Sequence, residues 1–348
     1  MDTFFLEFRD PLFGIIIFFV LIFVITFVSY WWGRYRYQKN SQDLDNFLKS
    51  FHSFETEGEL NILIKNGELS EKSWLLLANS YFKSGDYEKS IEIYNELLKI
   101  NNPSSTQEIM LLLGKTYFKA GFLERAKQIF LAILKNNPRT PEALKYLLLT
   151  YENLRDYKSA LEVLEPLKEL QEDIDIDYLY MKTLSIINNF QLTNDKKVQD
   201  ILSIYRSNNA LTYMIFEFLF RTNIEKAWQL LENSKSEFII DILWQIDKKD
   251  LNFDIILKDD FLKELYSARG DIQVAKKSAI FELDILINLK EKADATLSFE
   301  YLCRSCQSSH PFAFNRCSYC HNIDTQMVEF NLARDYYKTF NEENNSFQ

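Results

Sequence analysis

Four cysteines carry the clearest chemistry in this sequence. Cys303 and Cys306 form one C-x2-C pair, and Cys317 and Cys320 form a second after a gap of ten residues. Four thiolates in two such knuckles suit a closed tetrahedral metal site, with zinc the first choice and iron the second, because both ions favour four sulfurs. Each knuckle lets backbone N–H groups point at sulfur and relieve its negative charge. A closed site keeps no open position for water, so hydrolysis is not expected. His310 and His321 are superfluous as fifth and sixth ligands and are read as surface residues or neighbours of the ligands. The chain has only these four cysteines, too few for a disulfide-dense scaffold. A ribbon of this size has almost no core, so metal should supply most of its folding energy.

No second constellation competes with them. The sequence has no Gly-rich phosphate loop, no HExxH, and three histidines in all, His52, His310 and His321. Its many carboxylates fit the solvated faces of amphipathic helices. The expectation is therefore a protein that is not an enzyme. Asp and Glu number 50 against 40 Lys and Arg, a net charge of -10, which argues against a nucleic-acid partner because phosphate contact needs a basic face. Within the ribbon, Arg304 and Arg316 are offset by Glu300, Asp324 and Glu329.

The elements that must position the cysteines are helical. Eight Gly and six Pro in 348 residues nearly exclude an all-β fold, which needs both at its many turns. No proline falls between Pro166 and Pro311, so helices can run there unbroken. Self-similarity appears at a period near 34 residues. Tyr81, Tyr117 and Tyr151 correspond, as do Ser90, Ala126 and Ala160, while Gly85 and Gly121 mark the turn between paired helices. The segments Trp74 to Pro103, Ile109 to Pro138 and Leu144 to Leu167 resemble tetratricopeptide repeats. Trp74, Leu77, Ala78, Tyr81, Gly85, Ser90 and Tyr94 fill the pattern in the first, and Leu113, Gly114, Tyr117, Gly121, Ala126, Phe130 and Pro138 in the second. The third departs, with Leu148 where a small residue belongs and Arg155 where Gly belongs, so looser packing or a different turn is expected there. Weaker copies follow, one with Phe218, Ala227 and Leu231, another with Tyr266, Gly270, Ala275 and Ala279. Such arrays curl into a superhelix whose groove binds peptides or proteins.

From Leu12 to Trp32 the chain runs 21 residues without a charge, long enough at about 1.5 Å per residue to span a bilayer core. The preceding residues are acidic and no small-residue cleavage site follows, which disfavours a signal peptide. Trp31 and Trp32 suit the headgroup level, and Arg34, Arg36 and Lys39 beyond them place the C-terminal part in the cytoplasm.

The expected fold class is all-α: a tetratricopeptide repeat superhelix with one N-terminal transmembrane helix and a small C-terminal four-cysteine zinc ribbon. The expected divisions are 1–11 outside the cytoplasm, 12–32 in the membrane, 33–54 as a juxtamembrane helix or linker, 55–295 as repeats, 296–332 as ribbon and 333–348 as tail. This order resembles the lipopolysaccharide assembly protein B family. The resemblance rests on the repeats from Trp74 to Leu167 and on Cys303, Cys306, Cys317 and Cys320; Gln307 and Ser318 stand where that family commonly has Gly and Pro. It implies a rubredoxin-type metal domain packed on the repeats. It also implies an adaptor at the bacterial inner membrane that presents the lipid A deacetylase to the membrane protease FtsH and contacts other lipopolysaccharide assembly proteins. A membrane-tethered scaffold for another envelope assembly and a rubredoxin-like electron carrier remain as alternatives, and homo-oligomerisation through the span or repeats stays open.

Overall fold

The computed structural model describes residues 20–28, 30–31, 70–100, 105–231, 233–289 and 295–334. The chain forms two compact units, Met1–Leu154 and Arg155–Gln348.

In the first unit, residues 20–28 and 30–31 are helical and exposed, with the Phe23 and Phe27 rings stacked 6.0 Å apart. Among the described residues no helix is long and apolar enough to cross a membrane. The remainder of the expected span, and Trp32, Arg34, Arg36 and Lys39 with it, lie outside the described residues, as does all of 33–54.

Among the described residues five helices follow: α1 (Glu71–Ser84), α2 (Tyr87–Lys99), α3 (Thr106–Lys119), α4 (Leu123–Asn136) and α5 (Pro141–Asn153), each packed on the next. Their boundaries are written locally. Ser70 caps α1 by accepting from the Ser73 amide, Asp86 caps α2 by accepting from the Lys89 amide, and Pro141 opens α5 where a missing N–H costs nothing. Gly85 ends α1 at φ 85°, and the Asp86 amide donates back to the Tyr81 carbonyl at 3.0 Å. The faces turned inward carry the repeat pattern, with Trp74, Tyr94 and Phe130 almost wholly buried. Gly114 belongs to this packing: a Cβ there would stand 2.6 Å from the Phe130 ring, so only glycine lets α3 and α4 approach this closely.

Arg155 adopts φ 60°, the left-handed region that Gly85 and Gly121 occupy in the earlier turns. The third turn therefore keeps a left-handed residue where Gly was expected. Arg155 holds that conformation at a cost of about 1–2 kcal/mol that glycine would avoid, and Leu148 is buried despite its size.

The second unit begins with α6 (Tyr157–Glu169), α7 (Asp175–Ile187), α8 (Asn194–Asn208), α9 (Thr212–Thr222) and α10 (Ile224–Leu230). The α9–α10 pair is the repeat-like segment carrying Phe218 and Ala227, although α10 has only seven residues. Shorter pieces come next: α11 (Asn233–Ser236), α12 (Ile240–Gln245), α13 (Phe253–Ile256), α14 (Asp260–Arg269) and α15 (Phe281–Asn288). The repeat expected around Tyr266 and Gly270 is only half present. Gly270 ends α14 at φ 90°, but Ala275 and Ala279 lie in irregular chain. The cause is polar. The Ala275 amide donates to Ser267 Oγ at 3.1 Å, the Ser278 hydroxyl donates to Glu264 at 2.5 Å, and the Ser278 amide donates to Asp284 at 3.0 Å, which gives the backbone partners other than a helix.

A three-stranded antiparallel sheet closes the unit, in the order β2 (Ser309–His310), β1 (Ala295–Cys303), β3 (Gln326–Arg334). β1 pairs with β3 from Ala295 opposite Arg334 to Cys303 opposite Gln326. That register leaves Cys303 at the end of the ribbon where the cysteine loops begin.

Candidate metal centre

The two cysteine loops repeat one backbone design. In the first, the Gln307 amide donates to the Cys303 carbonyl at 2.8 Å and the Cys303 amide to the Ser308 carbonyl at 3.0 Å. In the second, the His321 amide donates to the Cys317 carbonyl at 3.0 Å and the Cys317 amide to the Asn322 carbonyl at 2.9 Å. Each turn reverses the chain through one left-handed residue, Gln307 at φ 59° and His321 at φ 62°. The result is four sulfurs within 4.8 Å of one another, with Cys303–Cys320 and Cys306–Cys317 each at 3.6 Å. A regular tetrahedron with metal–sulfur bonds of about 2.3 Å has sulfurs about 3.8 Å apart, close to the two 3.6 Å pairs, so the four residues suit a tetrahedral metal ion.

The electrostatics suit the same ion. Burial opposes ionisation of Cys317, yet the amides of Cys320 and Tyr319 and the Ser308 hydroxyl turned toward its sulfur bring the thiol down to about 5. Cys303 is lowered in the same way, burial being outweighed by the Thr325 hydroxyl and the amides of Cys306 and Ser305. Cys320 is pushed up to about 12, first by burial and then by its hydrogen bonds to the neighbouring sulfurs. Cys320 thus keeps its proton through burial and through the neighbouring sulfurs. A bound divalent cation would replace that proton.

His310 is buried, with Nε2 3.0 Å from Ser308 Oγ and 3.5 Å from Cys317 Sγ, and its ring packs 4.2 Å from Phe314. It stands beside the sulfurs. His321 serves the second turn through its backbone, which also accepts from Arg316 Nη1 at 2.8 Å.

The ribbon is fastened to the helices of its own unit by contacts that cysteine spacing does not announce. Arg316 Nη2 donates to Asp177 of α7 at 2.8 Å and lies over the Tyr180 ring at 5.2 Å. Asp324 accepts from the Leu211 amide just before α9 at 3.0 Å. Arg304 lies over Phe238 at 4.9 Å, and Trp244 Nε1 of α12 donates to Thr296 of β1 at 3.2 Å. The Tyr213 and Tyr301 hydroxyls, from α9 and β1, donate to Asp241 Oδ2 of α12 at 2.5 and 2.9 Å. Asp241 is 2% exposed. Burial holds its carboxyl above the ordinary range against those two hydroxyls and the nearby amides of Ile242 and Asp241. These contacts seat the ribbon on helices of its own unit. The sequence hint to Asp241 is a single charge inside the otherwise apolar run Phe238–Trp244.

Tetratricopeptide repeat models match residues 71–103 and 111–171. No curated protein matches the sequence. Among solved structures, the chain is similar to a tetratricopeptide repeat protein from Parabacteroides merdae (14% identity, 72% of this chain and 97% of that one, TM-score 0.37). It is also similar to YrrB, described as a repeat protein with an unusual peptide-binding site (17% identity, 59% and 95%, TM-score 0.34), and to MamA from Desulfovibrio magneticus (16% identity, 62% and 99%, TM-score 0.31). The model matches support tetratricopeptide repeats in the segments they cover, a repeat type that generally serves as a protein-interaction scaffold.

Proposed function

We propose that the chain is an adaptor of the bacterial inner membrane that limits lipopolysaccharide synthesis by presenting the lipid A deacetylase to the membrane protease FtsH. Residues 12–32 would cross the membrane once with the N-terminus outside, 33–54 would lead off it, and 55–295 and 296–332 would stand in the cytoplasm as repeats and ribbon. Trp31, Trp32, Arg34, Arg36 and Lys39 would sit at the membrane interface. Cys303, Cys306, Cys317 and Cys320 would hold zinc as a structural ion, since a four-sulfur shell offers no open coordination position.

The observation that carries the reading is the three-part order in one chain, together with a cysteine ribbon seated on helices that follow the repeats. An uncharged stretch of 21 residues supplies the tether. Nothing in this arrangement requires chemistry by the adaptor. A client held by the repeats or ribbon beside a membrane protease meets it at a high effective concentration. Other lipopolysaccharide assembly proteins and a second copy of the chain are further partners of the same reading.

The test is the half-life of the deacetylase after depletion of this chain, followed by immunoblot with protein synthesis blocked. The reading requires a longer half-life and rising lipopolysaccharide. An unchanged half-life rejects the deacetylase as client.

A further inference from the structure

The four sulfurs of the metal centre are not equally placed. Cys303 and Cys317 are wholly buried, Cys320 is half-buried and Cys306 is exposed. Buried Cys317 is the neighbour of exposed Cys306 across the two knuckles, with Sγ 3.6 Å from Sγ. Polar groups border this edge. The Ser308 hydroxyl stands 3.0 Å from Cys306 Sγ and 3.5 Å from Cys317 Sγ, and His310 Nε2 stands 3.0 Å from that hydroxyl. The other cross-knuckle pair, Cys303 and Cys320, is also at 3.6 Å, but Cys303 ends β1 inside the ribbon with the Thr325 hydroxyl 3.2 Å from its sulfur.

A four-sulfur shell is closed to substrate at the metal, yet it is not inert at sulfur. Which cysteine an oxidant reaches is set by thiolate character and access. In a loaded site all four sulfurs are thiolates, so access decides. The fold covers Cys303 and Cys317 and leaves Cys306 open to water. An accessible thiolate with a second sulfur beside it is the arrangement of a peroxide-reactive cysteine and its resolving partner. A structural ion needs no such opening.

We propose that Cys306 is a site of modification by peroxide, with Cys317 as its resolving partner, and that the disulfide between them releases the metal. Cys306 Sγ attacks one oxygen of hydrogen peroxide; the O–O bond breaks, hydroxide leaves and the sulfur becomes a sulfenic acid. Cys317 Sγ then attacks Cys306 Sγ; the S–O bond breaks and a second hydroxide leaves. Both hydroxides take protons from solvent. The two sulfurs give up two electrons, and the peroxide is reduced to two waters. Cys303 and Cys320 are then left as two ligands where a tetrahedral shell needs four. A dithiol reverses the disulfide by exchange. The proposal rests on the metal reading of the four cysteines and not on the deacetylase or FtsH.

The test uses the zinc-loaded full-length chain in detergent micelles, treated with hydrogen peroxide. A chromophoric chelator follows zinc release, and mass spectrometry maps the disulfides of acid-quenched samples after alkylation of the remaining thiols. Zinc should be released as the Cys306–Cys317 disulfide forms, with Cys303 and Cys320 still open to alkylation at early times. Dithiothreitol and added zinc should restore the loaded site. Cys306→His keeps three sulfurs and one imidazole, an ordinary structural set, and should release zinc about fivefold or more slowly. If that variant does not hold zinc, the disulfide map of the parent decides. A first disulfide inside either knuckle, or between Cys303 and Cys320, overturns the proposal, as does release from Cys306→His at the parent rate. A chain that takes up no zinc overturns the metal reading and the proposal with it. Zinc that is held and stays bound under peroxide overturns the proposal alone.

Discussion

Gln307 and His321 occupy the same position in the two cysteine loops. Each follows the second cysteine of its knuckle, lies in the left-handed region at φ 59° and 62°, and returns its amide to the first cysteine's carbonyl. Glycine is the usual occupant of such a position because it has no Cβ to clash. The side chains here are tolerated because the metal loops fix the backbone around them, and Gln307 recovers part of the cost by donating from Nε2 to the Arg304 carbonyl at 3.0 Å. The expected outcome for Gln307→Gly is an unchanged metal stoichiometry and a stability equal to the parent or higher by up to ~1 kcal/mol. Gln307→Val, β-branched at positive φ, should lose about 1–2 kcal/mol. Resistance of the bound metal to a competing chelator measures both.

Cys317→Ser should release the metal and unfold the ribbon, since a structural site of this kind supplies on the order of 10 kcal/mol of folding free energy. Trp244 reports on it, because its indole donates to Thr296 in β1. Chelation of the parent should reproduce the same change in tryptophan emission, and restored zinc should reverse it. A ribbon that keeps its spectrum without metal would contradict a structural role.

Gly114→Ala places a methyl group against a buried ring. Phe130 stacks on Tyr146 at 5.8 Å and is wholly buried, so it has little room to move. A loss of about 1–3 kcal/mol is expected from overpacking, read as a lower midpoint in urea. Arg155→Gly should act oppositely, gaining roughly 1 kcal/mol by removing left-handed strain.

Asp241 sets a pH dependence whose sign follows from its raised pKa. The folded state holds the Asp241 proton to higher pH than the unfolded chain, so between the ordinary carboxyl value and the raised one it binds more protons. Stability then falls as pH rises through that window and stays lower above it. Asp241→Asn removes this contribution. The stability difference between variant and parent should therefore move in the variant's favour as pH rises from about 3 to neutrality, as measured by urea unfolding at a series of pH values. A difference independent of pH would mean that the carboxyl titrates alike in both states.

Arg316 and Asp177 join the ribbon to α7 with both side chains largely buried. Replacing Asp177 by Asn leaves the guanidinium short of its countercharge and should cost about 2–4 kcal/mol. A double-substitution cycle with Arg316→Leu should show that most of this cost vanishes when both are changed.

Parts of this molecule are written plainly in its sequence, and parts are not. Cysteine spacing alone assembles the sulfur cluster, because two C-x2-C loops can satisfy their backbones in only a few ways. Tyr81, Gly85 and Tyr94 locate helices and turns because their spacing carries both the inward face and the left-handed residue. Ala275 and Ala279 carried the same small-residue signature but lie in irregular chain, since Ser267, Ser278 and Asp284 supply competing hydrogen bonds that a spacing rule does not weigh. Arg155 kept a turn that its side chain disfavours because the surrounding structure outweighs one residue's preference. The contacts of Arg316, Asp324 and Asp241 were not legible. Their partners are more than 25 residues away in sequence, and a carboxylate on a helix reads as solvated until something covers it.

The most direct test of the adaptor account is degradation of the lipid A deacetylase by FtsH in proteoliposomes, with and without the full-length chain. The account predicts faster degradation when the chain is present, and loss of that acceleration when residues 12–32 are deleted while the remainder stays folded. A rate that does not change on adding the chain would contradict it.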